Sequence, residues 1–170
     1  MKRRFVLAGC AALMAPRAWA QAWSDYRSED GNFHVLLPGQ PKLNTTAVPI
    51  GNNETAPVAE AVLGTPEATY QVVYTSYPRR IAGAASTDVL LDTFRNNMAS
   101  GIAYRGESKL TLGRFPGREF VLVETDARHR AVRLYWIRGR LYQLLVTGKP
   151  GIETRPDTRK FFESFALNTA

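Results

Sequence analysis

After an apolar opening segment, hydrophobic residues alternate with polar ones over short stretches divided by turn-forming residues. Phe33, Val35 and Leu37 interleave with His34 and Leu36, the two-residue period of a strand. Asp30-Gly31 separates this stretch from Trp23 to Ser28, and aspartate followed by glycine suits a tight hairpin because glycine accepts positive φ. The pattern predicts a hairpin ended by Pro38-Gly39-Gln40-Pro41, since proline cannot donate to a β-ladder. Lys42 to Pro49 and Pro57 to Leu63 form two more strand candidates around Gly51-Asn52-Asn53, a polar turn. Thr69 to Tyr77, rich in tyrosine and valine, predicts a central strand.

The period then changes. Leu90, Leu91, Phe94 and Met98 recur at three- and four-residue spacing, one apolar stripe of a helix. Ser86 or Thr87 supplies its N-cap oxygen, Asp88 suits the positive first turn, and Gly101 ends it. Arg79 to Ala85 reads as a loop. Leu110 and Leu112, Phe120 to Val123, Val132 to Ile137 and Leu141 to Val146 predict an antiparallel meander, with turns at Gly113 to Gly117, Asp126 to His129 and Gly139-Arg140. Val132, Leu134 and Trp136 share one strand face, and Arg133, Tyr135 and Ile137 the other. Both faces are partly apolar, which predicts cover on both sides. Thr154-Arg155-Pro156-Asp157 opens a second helix carrying Phe161, Phe162 and Phe165. The expected fold is α+β: an antiparallel β-sheet meander covered by two helices, an α/β/α sandwich.

The opening segment changes the reading of the charge. Lys2, Arg3 and Arg4, the apolar run Phe5 to Met14, and Ala18-Trp19-Ala20 form an export signal with cleavage between Ala20 and Gln21. Residues 1–20 are thus expected to be a signal peptide and 21–170 a single domain, periplasmic or secreted. The whole chain has 22 basic and 15 acidic residues, a net charge of +7. Four of the basic residues lie in the signal, so Gln21 onward keeps a surplus of only three. That argues against a nucleic-acid partner, which needs clustered excess charge. The apolar run is too short to span a bilayer, and no transmembrane segment is expected in the mature chain. Arg3-Arg4 also fits the twin-arginine route, which stays open beside the general one. Leu7-Ala8-Gly9-Cys10 resembles a lipoprotein box, but lipidation there would truncate the apolar run. The single cysteine, Cys10, lies in the signal, so the mature chain has no disulfide and no thiol nucleophile.

Few residues of the mature chain point to catalysis. His34 sits in a predicted strand and His129 in a predicted turn among arginines, and neither is placed beside a nucleophile. No metal-ligand spacing and no glycine-rich phosphate loop occurs, and neither a metal nor a cofactor is expected. Asp88, Glu119 and Glu124 are the carboxylates available to a small hydrolase, which would need two of them to converge in a cleft with a raised pKa. The meander offers more: Arg114, Arg118, Arg128, Arg130, Arg133, Arg138 and Arg140 place seven arginines within 27 residues, beside Tyr135, Trp136 and Tyr142. Guanidinium groups bind carboxylates and phosphates in pairs of hydrogen bonds and stack on aromatic rings. Arg114, Arg118, Arg128, Arg130, Arg133, Arg138 and Tyr142 are therefore the candidate ligand-binding residues, for a small anion or lipid headgroup. The plainer reading makes the arginines guards of strand edges, with Glu119, Glu124 and Asp126 as counter-ions.

Several of these motifs together resemble a family. Asp30-Gly31-x-Phe33-x-Val35 leading into Pro38-Gly39-x-Pro41, then Pro116-Gly117-Arg118-Glu119-Phe120, Arg133-x-Tyr135, Leu141-Tyr142-x-Leu144 and Phe161-Phe162-x-Ser164-Phe165 resemble uncharacterised exported bacterial proteins similar in layout to PsbP-like domains. The resemblance spans most of Trp23 to Leu167. It implies helix-covered antiparallel sheets that act as non-enzymatic binding or assembly modules. No metal or partner residue of that family maps onto a position here. The expected function is an exported binding or assembly module of the cell envelope, its partner an unidentified envelope protein or a small anionic ligand.

Overall fold

The computed structural model describes residues 22–168. The expected export signal and its expected cleavage between Ala20 and Gln21 lie outside the described residues. The elements run β1 (Ser24–Ser28), β2 (Phe33–Leu37), β3 (Lys42–Gly51), β4 (Glu54–Gly64), β5 (Ala68–Ser76), α1 (Arg79–Ala82), α2 (Thr87–Met98), β6 (Ala103–Leu112), β7 (Phe115–Thr125), β8 (Arg128–Ile137), β9 (Arg140–Gly148), a 3-10 turn η1 (Ile152–Thr154), α3 (Pro156–Ser164) and β10 (Ala166–Leu167). Seven strands form one antiparallel sheet in the order β3-β4-β5-β9-β8-β7-β6. The other three form a small antiparallel sheet, β1-β2-β10.

This corrects the expected architecture. The chain is mostly β, with sheets of three and seven strands, and is not one sheet covered by two helices in a sandwich. The physical reason lies in β2. Phe33, Val35 and Leu37 are buried and pack into one cluster with Tyr70, Val72, Tyr142, Leu144 and Val146 of the large sheet and with Phe161, Phe162 and Phe165. The hairpin is thus a cover in its own right, sharing that face with α3. The opposite face is covered by a helix: Leu90 and Leu91 of α2 bury against Phe120, Leu122, Val132, Leu134, Trp136, Leu141 and Leu145. Both faces of the meander are covered, as its two-sided apolar pattern requires.

Local chemistry accounts for most element boundaries. Ser86 caps α2 by accepting from the Val89 amide, and Gly101 follows the helix at φ 73°. Pro156 opens α3 at its first turn, where its missing N–H is no loss. Differences from the expected elements fall where pairing overrides propensity. Phe115 to Gly117 belong to β7 and His129 to β8, not to turns, because antiparallel partners hold them in register. Residues 79–82, expected as loop, form the short α1, and β10 adds a two-residue edge to β2.

Gly117 is needed where it stands. A Cβ there would meet Leu134 O at 2.5 Å and Tyr135 Cδ1 at 2.7 Å, so only glycine lets β7 lie this close to β8. The β8–β9 connection is a two-residue turn between paired Ile137 and Arg140, with Arg138 at φ 50° and Gly139 at φ 81°. Positive φ at both central positions defines the hairpin turn that asparagine or aspartate followed by glycine normally fills. Here arginine occupies the first position.

Candidate functional site

The structure does not bring the seven arginines into one patch; it divides them by their partners. Arg118 lies on the α2 side of β7 with its side chain 2% exposed. It donates from Nη2 to Asp88 Oδ1 at 2.5 Å, from Nε to Asp92 Oδ1 at 3.1 Å and from Nη1 to Gly117 O at 3.1 Å. Burial by itself would lower the Arg118 pKa, but the hydrogen bonds it donates to Asp88 and Asp92, together with their charges, outweigh it and the guanidinium is raised. Arg128 and Arg130 share Glu124, at 2.8 and 2.6 Å. Arg133, on the opposite face from Arg118, pairs with Glu119 and lies 4.9 Å over the Phe162 ring.

The remaining three, Arg114, Arg138 and Arg140, have no acidic partner among the described residues, and all stand at one end of the large sheet. The guanidinium groups of Arg114 and Arg138 lie over the same Phe115 ring, at 5.3 and 5.9 Å. Arg140 is held by neutral groups: Nε donates to Ser76 Oγ at 3.0 Å and Nη1 to Asp30 O at 2.8 Å, while the guanidinium covers Tyr74 at 5.4 Å. Beside it Tyr142, 3% exposed, donates its hydroxyl to Gly31 O at 2.8 Å. Burial raises the Tyr142 phenol, with partial relief from Arg140, so the hydroxyl stays neutral.

Arg138, Arg140 and Tyr142 line a cleft of about 270 Å³ with Asn32, Ser76 and Tyr77. It therefore presents uncompensated guanidinium groups, a hydroxyl and an amide, a set suited to oxygen anions. Ser76, Asn32 and the Asp30 carbonyl carried no signal in the sequence: Asp30 reaches Arg140 from 110 residues away.

The carboxylates considered for hydrolysis do not converge. Asp88 meets Arg118 on the α2 face, Glu119 meets Arg133 on the other, and Glu124 sits at the far strand ends with Arg128 and Arg130. Asp88 is held below its usual value, first by its hydrogen bond from Arg118 and then by Lys109 and Arg118 charge. His34 faces Asn168 at 3.2 Å, and His129 is buried beside Arg105. Among the described residues no three His, Cys, Asp or Glu side chains gather as metal ligands. No described helix is long and apolar enough to cross a membrane.

No family model and no curated relative matches the chain. The fold does match solved structures. The solution structure of cyanobacterial PsbP (CyanoP) from Synechocystis sp. PCC 6803 superposes with a TM-score of 0.55 at 12% identity, covering 95% of this chain and 98% of that one. A Pseudomonas aeruginosa protein of unknown function, PA94, matches with a TM-score of 0.48 at 10% identity over 87% of this chain and 99% of its own. The chain has a PsbP-like fold.

Proposed function

We propose that this chain is an exported, PsbP-like binding or assembly module of the cell envelope, and that it engages an anionic partner through the cleft at the β8–β9 turn without performing catalysis. The observation that carries the reading is the sorting of the arginines. Arg118, Arg128, Arg130 and Arg133 are neutralised within the fold, whereas Arg114, Arg138 and Arg140 stand at one end of the large sheet with no carboxylate partner among the described residues. Unpaired cations at close range repel one another, and a bound carboxylate or phosphate relieves that repulsion. The turn adds support, because a non-glycine residue at positive φ is strained and such strain concentrates at binding sites. The particular anion is named only by its chemistry: planar or tetrahedral oxygens that accept two guanidinium hydrogen bonds at once.

The test is a titration of Gln21 to Ala170 with citrate and with inorganic phosphate, followed by amide shifts at Ser76, Gly139 and Tyr142. Binding should weaken with added salt. It should fall about tenfold or more in an Arg138→Ser, Arg140→Ser double variant. It should survive Arg128→Ser with Arg130→Ser. Equal loss in both double variants would mean a diffuse charge effect and would overturn the assignment to this cleft.

A further inference from the structure

The two edges of the large sheet are finished differently. β6 is guarded: its ladder with β7 slips between Arg105 and Ser108, Gly106 sits there at φ 65°, and Arg105, Glu107 and Lys109 are exposed along it. A bulge and interspersed charge stop one edge strand from pairing with another. β3 has neither over Lys42 to Val48. Its pairing with β4 is regular there, each of these residues is exposed, and Lys42 is the only charged side chain of the strand. Leu43, 65% exposed, and Val48, 36% exposed, both stand on it. Among the described residues no strand pairs with its outer side.

Two prolines fix which backbone groups that outer side presents. In an antiparallel ladder, opposed residues alternate between pairs that exchange both hydrogen bonds and pairs that exchange none. Ala47 opposes Pro57 and Pro49 opposes Thr55, and a proline has no N–H to exchange. Both are therefore non-bonded pairs, and alternation extends this class to Thr45 opposite Ala59 and Leu43 opposite Ala61. The N–H and C=O groups of Leu43, Thr45 and Ala47 thus point away from β4, while those of Lys42, Asn44, Thr46 and Val48 point toward it.

We propose that β3 pairs antiparallel with β3 of a second copy of this chain, about a two-fold axis at Thr45. This register sets Thr45 opposite Thr45 of the second copy and Leu43 opposite its Ala47, so each outward N–H between the two flanking prolines meets an outward C=O. Pro41 then falls opposite Pro49 of the second copy, and the ladder stops at both ends where no donor remains. Centring on Asn44 or Thr46 would face groups already turned to β4, and centring on Leu43 or Ala47 would run a proline into the ladder. Charge agrees with this occupant. Lys42 falls opposite Val48 of the second copy and Asn44 opposite its Thr46, so no like charges are opposed. The segment is thus complementary to itself in donor pattern, length and charge, as a two-fold interface requires. One strand on one strand buries little area, which places the association in the weak, concentration-dependent class. It uses no residue of the arginine cleft.

The test is sedimentation of Gln21 to Ala170 from about 10 μM to about 1 mM, which should show monomer passing into dimer and nothing larger, since the pairing consumes the edge. Amide exchange should slow with concentration at Leu43, Thr45 and Ala47 and stay slow throughout at Asn44, Thr46 and Val48. Thr45→Pro deletes an outward donor while leaving the bonds to β4, and should weaken the dimer about tenfold or more. From Gln21 onward the chain has no cysteine, so Thr45→Cys supplies a single thiol that should crosslink to its symmetry mate under mild oxidation. Val48→Cys, far from the axis, should not. Should Thr45→Pro not fold, the exchange pattern and the two cysteine variants still decide. A monomer throughout, which would leave β3 to a strand of another protein or to none, would overturn the proposal. So would a dimer unaffected by Thr45→Pro, or equal crosslinking by the two cysteine variants.

Discussion

Arg118 of β7 and Asp88 of α2 stand 30 residues apart in sequence and meet at 2.5 Å, the guanidinium 2% exposed and the carboxylate 56%. The buried partner is satisfied from the surface. Asp88 and Asp92, one helical turn apart, reach down from α2 to the same guanidinium, and Gly117 O closes the remaining side. This pairing sets the position of α2 along the sheet, which apolar contact alone leaves free to slide, because hydrophobic burial has no direction.

Replacing Arg118 should therefore cost more than its charge. Arg118→Ala removes a side chain packed in the interior along with its hydrogen bonds, and should lower unfolding stability by roughly 2–4 kcal/mol. Arg118→Lys should recover only part of this, since a point charge cannot serve two carboxylates and a carbonyl as a planar fork does. Urea unfolding of the two variants measures both effects. A lysine variant as stable as the parent would show that the planar fork adds nothing beyond a positive charge here.

Acid should loosen the same clamp. Asp88 is held below its usual 3.8 by Arg118 and Lys109. A carboxylate with a depressed pKa in the folded state contributes stability that is fully present above the unfolded value. The contribution is lost as pH falls from 3.8 through the lower folded value. Urea midpoints taken between pH 5 and pH 2 should fall, and Asp88→Asn should flatten the part of the slope below pH 4. An unchanged slope in that variant would assign the acid sensitivity to other groups.

Arg138 should show a conflict between stability and binding. At φ 50° in the β8–β9 turn, an arginine is less comfortable than an asparagine, which tolerates the left-handed region. Arg138→Asn should raise stability by about 0.5–1 kcal/mol and weaken citrate binding. Thermal unfolding and the citrate titration on one sample check both signs. A variant that gains stability and keeps its affinity would remove Arg138 from the cleft's function.

Gly117→Ala offers a test of the β7–β8 approach. The new Cβ would press on Leu134 O, a backbone atom that cannot rotate away. The expected loss is roughly 1–3 kcal/mol, against a small change for Gly64→Ala, where nothing lies within 4 Å. Equal effects at the two sites would mean that the strands separate at little cost.

Export has its own measurement. If the proposed export signal is used, mass spectrometry of the exported protein should find Gln21 as its first residue. Arg3→Lys with Arg4→Lys should block secretion if the twin-arginine route carries the chain, and unaltered secretion would assign it to the general route.

What the sequence determined by itself was local. Alternation from Phe33 to Leu37, the three- and four-residue spacing from Leu90 to Met98, and proline opening α3 each depend on chemistry within a few residues, so each could be read in order along the chain. The two apolar faces of Val132 to Ile137 also announced cover on both sides of the meander. They did not say what the cover was. Whether a hairpin lies on a sheet or beside it depends on contacts such as Phe33 with Tyr142 and Phe165, more than 100 positions away in the chain. The arginines show the same division. Their number and their aromatic neighbours were visible at once. Which four would be neutralised and which three left free was decided by strand register and by the docking of α2. Those choices place Asp88, Asp92, Glu119 and Glu124 opposite particular guanidinium groups and leave Arg114, Arg138 and Arg140 without a carboxylate among the described residues.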